Sequence, residues 1–158
     1  MAKRQHTHSE PDRVAAIPYI RQGEEIRFLV VTSKHGWTFP KGSLESGDSG
    51  LEGAAKREAR EEAGVCGQID SNRLIQYYFP RCKAADQSVV AFLLEVTEDD
   101  LRRKGKDERR KRFWGTAAEI VAKLCEEGNH LYASEVDRVL VAAQRALARR
   151  TSEAAPPS

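Results

Sequence analysis

Residues 57–64 read Arg-Glu-Ala-Arg-Glu-Glu-Ala-Gly, and no other stretch constrains the chain as tightly. On a helix, residues three and four apart are neighbours, so Glu58, Glu61 and Glu62 share one face. Like charges at that spacing repel by about 0.2 to 0.5 kcal/mol per pair. Gly64 reads as a left-handed cap, which puts the carboxylates near the negative end of the helix dipole, where anions are disfavoured. Arg57 and Arg60 offset only part of that cost. Selection for helix stability would place the charges the other way round, whereas a hard divalent cation needs clustered oxygen ligands. The octet alone leaves a second reading open, a solvated helix rich in Glu and Arg.

The upstream residues narrow the choice. Trp37-Thr38-Phe39-Pro40-Lys41-Gly42 ends a strand, and Gly42-Ser43-Leu44-Glu45-Ser46-Gly47-Asp48 is a glycine-punctuated loop leading into the helix. Together with the octet these residues resemble the Nudix box, the signature of the Nudix hydrolase superfamily. That signature is G, five residues, E, seven residues, then R-E-U-x-E-E-x-G-U with U apolar. The matching positions are Gly42, Asp48, Arg57, Glu58, Ala59, Glu61, Glu62, Gly64 and Val65. Two departures stand out: Asp48 replaces a Glu, and eight residues rather than seven separate it from Arg57. The extra residue falls at Ser49-Gly50, ahead of the helix, because Leu51, Ala55, Ala59 and Ala63 then keep an unbroken apolar stripe at four-residue spacing. Small side chains on the stripe let the helix lie close to a sheet.

Around this box the alternation of apolar residues sets out the other elements. Residues 13–19 and 26–33 read as strands joined by a turn at Gln22-Gly23-Glu24, the second buried on both faces at its apolar end. Residues 68–79 and 88–96 read as further strands, with the polar loop 80–87 between them carrying Arg81, Lys83 and Asp86. Arg112-Phe113-Trp114 is a short strand; Thr116 and Glu119 then form a capping box for a helix to Glu127, stopped by Gly128. Ser134 is read as the cap of a last helix to about Arg149, with Val136, Val139, Leu140, Ala143 and Leu147 on its apolar face. Strands and helices in this order argue for a mixed sheet between helical layers, an α/β class. The resemblance implies the Nudix fold, an α/β/α sandwich with a central mixed β-sheet. The domain is expected over 13–150, with disordered tails at 1–12 and 151–158.

Composition enters mainly by exclusion. No apolar run reaches membrane-spanning length, and the opening residues lack the hydrophobic segment of a signal peptide, so a cytoplasmic address and no membrane partner are expected. Cys66, Cys82 and Cys125 are far apart and make no zinc pattern with His6, His8, His35 or His130; they read as reduced, mostly buried thiols. The net charge is only +2, but basic residues crowd into Arg102-Arg103-Lys104-Gly105-Lys106 and Arg109-Arg110-Lys111-Arg112. Such a run is either a solvated loop or the cationic wall that a phosphate-rich substrate needs opposite three carboxylates. A monomer or a homodimer fits the chain equally well.

Within the superfamily, residues 13–124 resemble the diphosphoinositol polyphosphate and diadenosine polyphosphate phosphohydrolases. The shared features are an Arg-x-Ala-Ala first strand, Val31-Thr32-Ser33, Trp37 through Gly42, and Arg110-Lys111-Arg112-Phe113-Trp114, with Phe113 where that branch has an acid. The resemblance implies Mg²⁺-dependent hydrolysis of a phosphoanhydride, with Mn²⁺ able to substitute. It gives Glu58, Glu62 and the Lys41 carbonyl as metal ligands, Glu61 as base, and Arg57 as the residue that orients a carboxylate. Arg13, Ser33, Lys34, Lys41, Gly42 and Arg110 are the expected substrate contacts; His35 is a weaker candidate. Other readings remain: an oxidised-nucleotide or RNA 5′-end pyrophosphohydrolase, or a weakly catalytic module whose basic run holds RNA or a nucleotide, since nucleic acid is a less favoured partner.

Overall fold

The computed structural model describes residue 11 and residues 13–80, 85–99 and 110–154. The expected N-terminal tail apart from Pro11, Arg81 to Lys83, the basic residues from Arg102 to Arg109, and 155–158 lie outside the described residues. Among the described residues eight strands form a sheet: β1 (Arg13–Gln22), β2 (Glu25–Ser33), β3 (Gly36–Thr38), β4 (Lys41–Gly42), β5 (Val65–Ile69), β6 (Ile75–Phe79), β7 (Gln87–Asp99) and β8 (Arg112–Gly115). The main path runs β3-β2-β1-β7-β5, with β4 paired to β1, β6 to β7 and β8 to β2. β1 and β7 run parallel, Ala15 opposite Ala91 and Ile17 opposite Leu93, while the other pairings are antiparallel, so the sheet is mixed as expected.

The central strands read as near-continuous apolar runs because both faces of the sheet are covered, and successive side chains go to opposite faces. Ala15, Ile17, Tyr19, Phe28, Val30, Val89, Ala91 and Leu93 join one core; Val14, Ala16, Leu29, Val31, Val90, Phe92 and Leu94 join the other. The first core is closed by α2 (Ala117–Glu126) and α3 (His130–Ala154) through Ile120, Leu124, Val136, Val139, Leu140, Ala143 and Leu147. The second is closed by α1 (Gly50–Glu58) and the π-turn that continues it, Ala59–Ala63. This is the α/β/α sandwich.

The π-turn explains the four-residue stripe. Steps of four residues drift by roughly 40° each around a regular α-helix. A π-turn, with i→i+5 bonds, takes more residues per turn and brings the stripe back into line. Ala55, Ala59 and Ala63 are all fully buried against the sheet. At the start of α1, Ser49 stands at the N-cap position without a side-chain bond and Gly50 takes a φ of 71°, a left-handed conformation open to glycine at no steric cost.

Three expectations change. The run 68–79 falls in two strands, β5 and β6, separated by Asp70, Ser71, Asn72, Arg73 and Leu74. The last helix starts four residues before Ser134, which sits exposed inside it; the carbonyl of Asn129 accepts from the Ala133 amide at 2.9 Å and opens the helix instead. That helix also runs to Ala154, beyond the expected end near Arg149. The Thr116–Glu119 capping box is present, and Cys66 and Cys125 are half-buried free thiols. Among the described residues no helix is long and apolar enough to cross a membrane.

Among the described residues β6 pairs with β7 alone, and side chains of α3 reach its other edge. The Tyr78 amide donates to Glu135 Oε2 at 2.9 Å, and Arg138 Nη2 donates to the Gln76 carbonyl at 3.0 Å and to Glu135 at 3.0 Å. An open row of backbone groups is thereby satisfied by one acid and one base a helical turn apart. Burial alone would raise the Glu135 carboxyl, but the Tyr78 amide and Arg138 hold it below the ordinary glutamate value. A depressed folded-state pKa contributes stability that is present above the unfolded value and lost as pH falls through the folded one. Thermal melts between pH 7 and pH 3 should therefore show a smaller acid-induced drop in Tm for Glu135→Gln than for the wild type; equal drops would remove this contact from the stability balance. Gly67 carries a second expectation. It sits at the β5 bulge, where a Cβ would overlap the Glu95 carbonyl backbone. Gly67→Ala should cost at least about 3 kcal/mol of urea-unfolding free energy, and a loss under about 1 kcal/mol would show that the bulge can move.

Candidate active site

Arg57 organises the box. Its guanidinium has five N–H donors in a rigid fork, and five acceptors meet them. Nε donates to Asp48 Oδ1 at 2.9 Å and Nη2 to Asp48 Oδ2 at 3.1 Å and the Ser43 carbonyl at 2.9 Å. Nη1 donates to Glu58 Oε1 at 2.8 Å and Glu61 Oε2 at 3.1 Å, and Glu45 lies 3.6 Å away. The loop before the helix and two carboxylates on it are thus fixed by one side chain. The substitution at Asp48 is accommodated here: Arg57, then the Glu45 amide, hold its carboxyl below the ordinary aspartate value and fully engaged. Arg57 is thus bonded to the carboxylates of Asp48, Glu58 and Glu61.

Glu58, the more deeply buried acid, lies directly against Gly42, where a Cβ would overlap its carboxylate. Gly42 is therefore glycine because the Glu58 carboxylate occupies the space of its side chain. One turn on, Glu62 Oε2 accepts from the Lys41 amide at 3.1 Å, and Arg110 Nη2 lies 3.5 Å from Glu62 Oε1. Arg110 is itself tied down by donating to the Thr32 carbonyl at 3.1 Å. Burial, followed by the neighbouring Glu58 charge, pushes Glu62 up to about 7, against the opposing pull of Arg110 and Lys41. Burial and the nearby Arg13 push the Lys41 ammonium down to about 8, and that ammonium sits 4.1 Å over the Phe79 ring. Both shifts record charges held out of water at some cost.

Two chambers meet at these groups. One, of about 390 Å³, is walled by Glu58, Glu62, Glu45, Gly42 and Ser43 with Arg13, Lys41 and Arg110. The other, of about 540 Å³, shares Arg13, Lys41, Glu62 and Arg110 and adds Thr32, Ser33, Lys34, His35, Thr38, Phe79 and Gln87. All the substrate-contact candidates therefore converge: Arg13, Ser33, Lys34, Lys41 and Arg110 in the larger chamber, Gly42 in the smaller. Glu61 is held beside Glu58 by Arg57 and does not line either chamber among the described residues. Phe79, Thr38 and Gln87 were not foreseen. Alternation shows only that Phe79 points inward, and Thr38 reads as an ordinary strand residue until its hydroxyl is seen bonded to Tyr132 at 2.8 Å.

Among the described residues no three His, Cys, Asp or Glu side chains form a ready cation cage. A hard dication such as Mg²⁺ keeps several waters and needs only one or two carboxylates plus substrate oxygens. Glu58 and Glu62 line one chamber and could supply such a set, with the Lys41 amide bonded to Glu62; the rise at Glu62 comes first from its burial and then from the Glu58 charge. The donors fit. Gly42→Ala should test this packing directly: with Glu58 displaced by the added methyl, kcat should fall by about 100-fold while Tm stays near that of the wild type. Full activity in that variant would show that Glu58 has no fixed role.

Comparison with known proteins agrees with the fold and the box. A family model described as NUDIX domain matches residues 10–135. Over 98 residues the chain is 32% identical to Nudix hydrolase 17, mitochondrial, from Arabidopsis thaliana, a match covering 61% of this chain and 53% of that protein, so the similarity spans about half of the relative's length. The structure is similar to that of a C. elegans Ap4A hydrolase, with a TM-score of 0.63 and 20% identity over 87% of this chain and 98% of the other. It is also similar to the NUDIX domain of Shewanella oneidensis NrtR complexed with ADP ribose, with a TM-score of 0.60 and 16% identity over 85% and 86% of the two chains. At those identities the structural likeness speaks for the fold, and the family model covers most of the chain: it belongs to the Nudix superfamily.

Proposed function

We propose that the protein is a Mg²⁺-dependent hydrolase, with Mn²⁺ able to substitute, that cleaves a phosphoanhydride in a nucleoside polyphosphate, a diadenosine polyphosphate or a diphosphoinositol polyphosphate. The observation that carries this is the mixing of charges around one cavity: Glu58 and Glu62 line it together with Arg13, Lys41 and Arg110. A pure polyanion binder would gain by losing those acids, whereas phosphoryl transfer to water needs both signs. Arg13, Lys41, Arg110 and the Ser33 hydroxyl bind the phosphate chain and take up the charge that grows on the leaving phosphate. When bound, the dication supplies charge neutralisation and a more acidic water. Glu58 and Glu62 would hold it and Arg57 keeps Glu58 and Glu61 in place; Glu61, the base by resemblance to the family, lines neither chamber, so the proton of the attacking water would reach it through an intervening water or a movement of its side chain.

A third cavity, of about 430 Å³, shares His35 and Phe79 with the cationic chamber; Pro80, Leu131 and Tyr132 give it an apolar part and Glu127 and Asn129 a polar edge. An apolar recess at the end of a phosphate channel suits a base better than a ring crowded with phosphates, which favours the nucleoside substrates over diphosphoinositols. It also keeps the oxidised-nucleotide and RNA 5′-end readings within the same chemistry. The name of the Arabidopsis relative says mitochondrial; a cytoplasmic location for this chain is read from its sequence and is checked by cell fractionation.

A panel of dinucleoside polyphosphates, nucleoside triphosphates, capped RNA and diphosphoinositols with Mg²⁺ in ¹⁸O-water should show turnover that ceases with EDTA, label in one phosphate product, and the highest kcat/KM on a nucleoside substrate. In the same assay Glu61→Gln should lose about 100-fold or more in kcat, with its melting curve unchanged. No metal-dependent product, together with RNA affinity that falls steeply with salt, would favour the binding module instead.

A further inference from the structure

The catalytic helix is gripped at its far end by a residue to which the box gives no part. Arg112, on β8, donates from Nη1 to the carbonyl of Ala63 at 2.8 Å. Ala63 closes the π-turn that carries Glu61 and Glu62. The same guanidinium makes a two-pronged pair with Asp99, Nη1 to Oδ1 and Nη2 to Oδ2 at 2.6 and 2.8 Å. Asp99 ends β7 and lies opposite Val65, the residue that follows the Gly64 cap. Ala63, Arg112 and Asp99 thus close a ring around the point where the helix becomes a strand.

A π-turn is a rare form that does not hold itself in place. Gly64 turns its amide back to the Ala59 and Arg60 carbonyls, and Arg112 takes up the carbonyl of Ala63. Rewinding the turn by one residue would swing a side chain by roughly 100° around the helix axis. Glu62 would then leave the Lys41 amide and Arg110. Resting on the functional reading above, we propose that Arg112, oriented by Asp99, is a positioning residue that fixes the aim of Glu61 and Glu62 by pinning the end of the π-turn. The pair is only partly open to water, with Asp99 38% exposed and Arg112 14%, so Tm is read beside kcat to tell a loss of position from a loss of stability.

The test compares the full chain with Arg112→Gln, Arg112→Lys and Asp99→Asn by kcat, KM, Tm and Mn²⁺ affinity from electron paramagnetic resonance. Arg112→Gln should lose about 10- to 100-fold in kcat and in Mn²⁺ affinity, with KM nearly unchanged. Arg112→Lys should recover part of the loss, and Asp99→Asn, the mildest change and the decisive one if Arg112→Gln folds poorly, should show the same pattern in smaller measure. Unchanged kcat and Mn²⁺ affinity would overturn the proposal, as would a raised KM with kcat intact, the signature of a substrate contact. A wild type inactive on every phosphoanhydride would instead overturn the functional reading, and the Mn²⁺ affinities would still decide the clamp.

Discussion

One guanidinium with all five of its donors engaged is the contact on which the rest of this site depends. Arg57 binds Asp48 with two prongs, reaches back to the Ser43 carbonyl, and holds Glu58 and Glu61 with its remaining arm. Acids crowded at one end of a helix would otherwise splay apart, and the loop before the helix would have little to fix it. A lysine, with a compact charge and no planar fork, has no way to serve so many partners at once. The cluster's electrostatic cost is thus converted into geometry, and the acids left facing the cavity are held where a dication and a phosphate chain can meet them.

The sandwich places this cluster where it can act. Alternate residues of β1, β2 and β7 feed two separate cores, and the box helix covers only one of them, through alanines that bring it close to the sheet. Close approach is also what forces glycine at position 42, since the Glu58 carboxylate fills the space a side chain would need. The cations come from the sheet side: Arg13 from β1, Lys41 from β4, and Arg110 from just before β8. Site and core are therefore parts of the same packing problem, and a change to the alanine stripe would reach the chemistry.

Much of this was legible in the sequence. Residue spacing placed the carboxylates on one face, the alanine stripe put the extra residue at Ser49-Gly50, and resemblance to the family, rather than any pattern of charge, pointed to Arg13, Lys41 and Arg110, which line one chamber. The π-turn was not legible, because a four-residue stripe fits a slightly drifting α-helix nearly as well, and only backbone geometry separates the two. Ser134 misled because it is a cap-type residue near a helix start, yet Asn129 does that work, freed by the Gly128 turn. Phe79 and Tyr132 escaped notice because inward-facing aromatics look alike whether they fill a core or floor a cavity. The role of Arg112 escaped for a different reason: its partners, Ala63 and Asp99, are far off in sequence and one is a backbone carbonyl, which carries no side-chain signature.

The most direct test is a crystal structure grown with Mn²⁺ and a non-hydrolysable polyphosphate analogue. The ion should appear at about 2.0 to 2.2 Å from carboxylate oxygens of both Glu58 and Glu62, bridging them to a phosphate oxygen, with Arg57 still fanned across its acceptors. An analogue bound with its phosphates against Arg13 and Arg110 but no ion beside either glutamate would contradict the central claim that these acids are clustered to hold a cation.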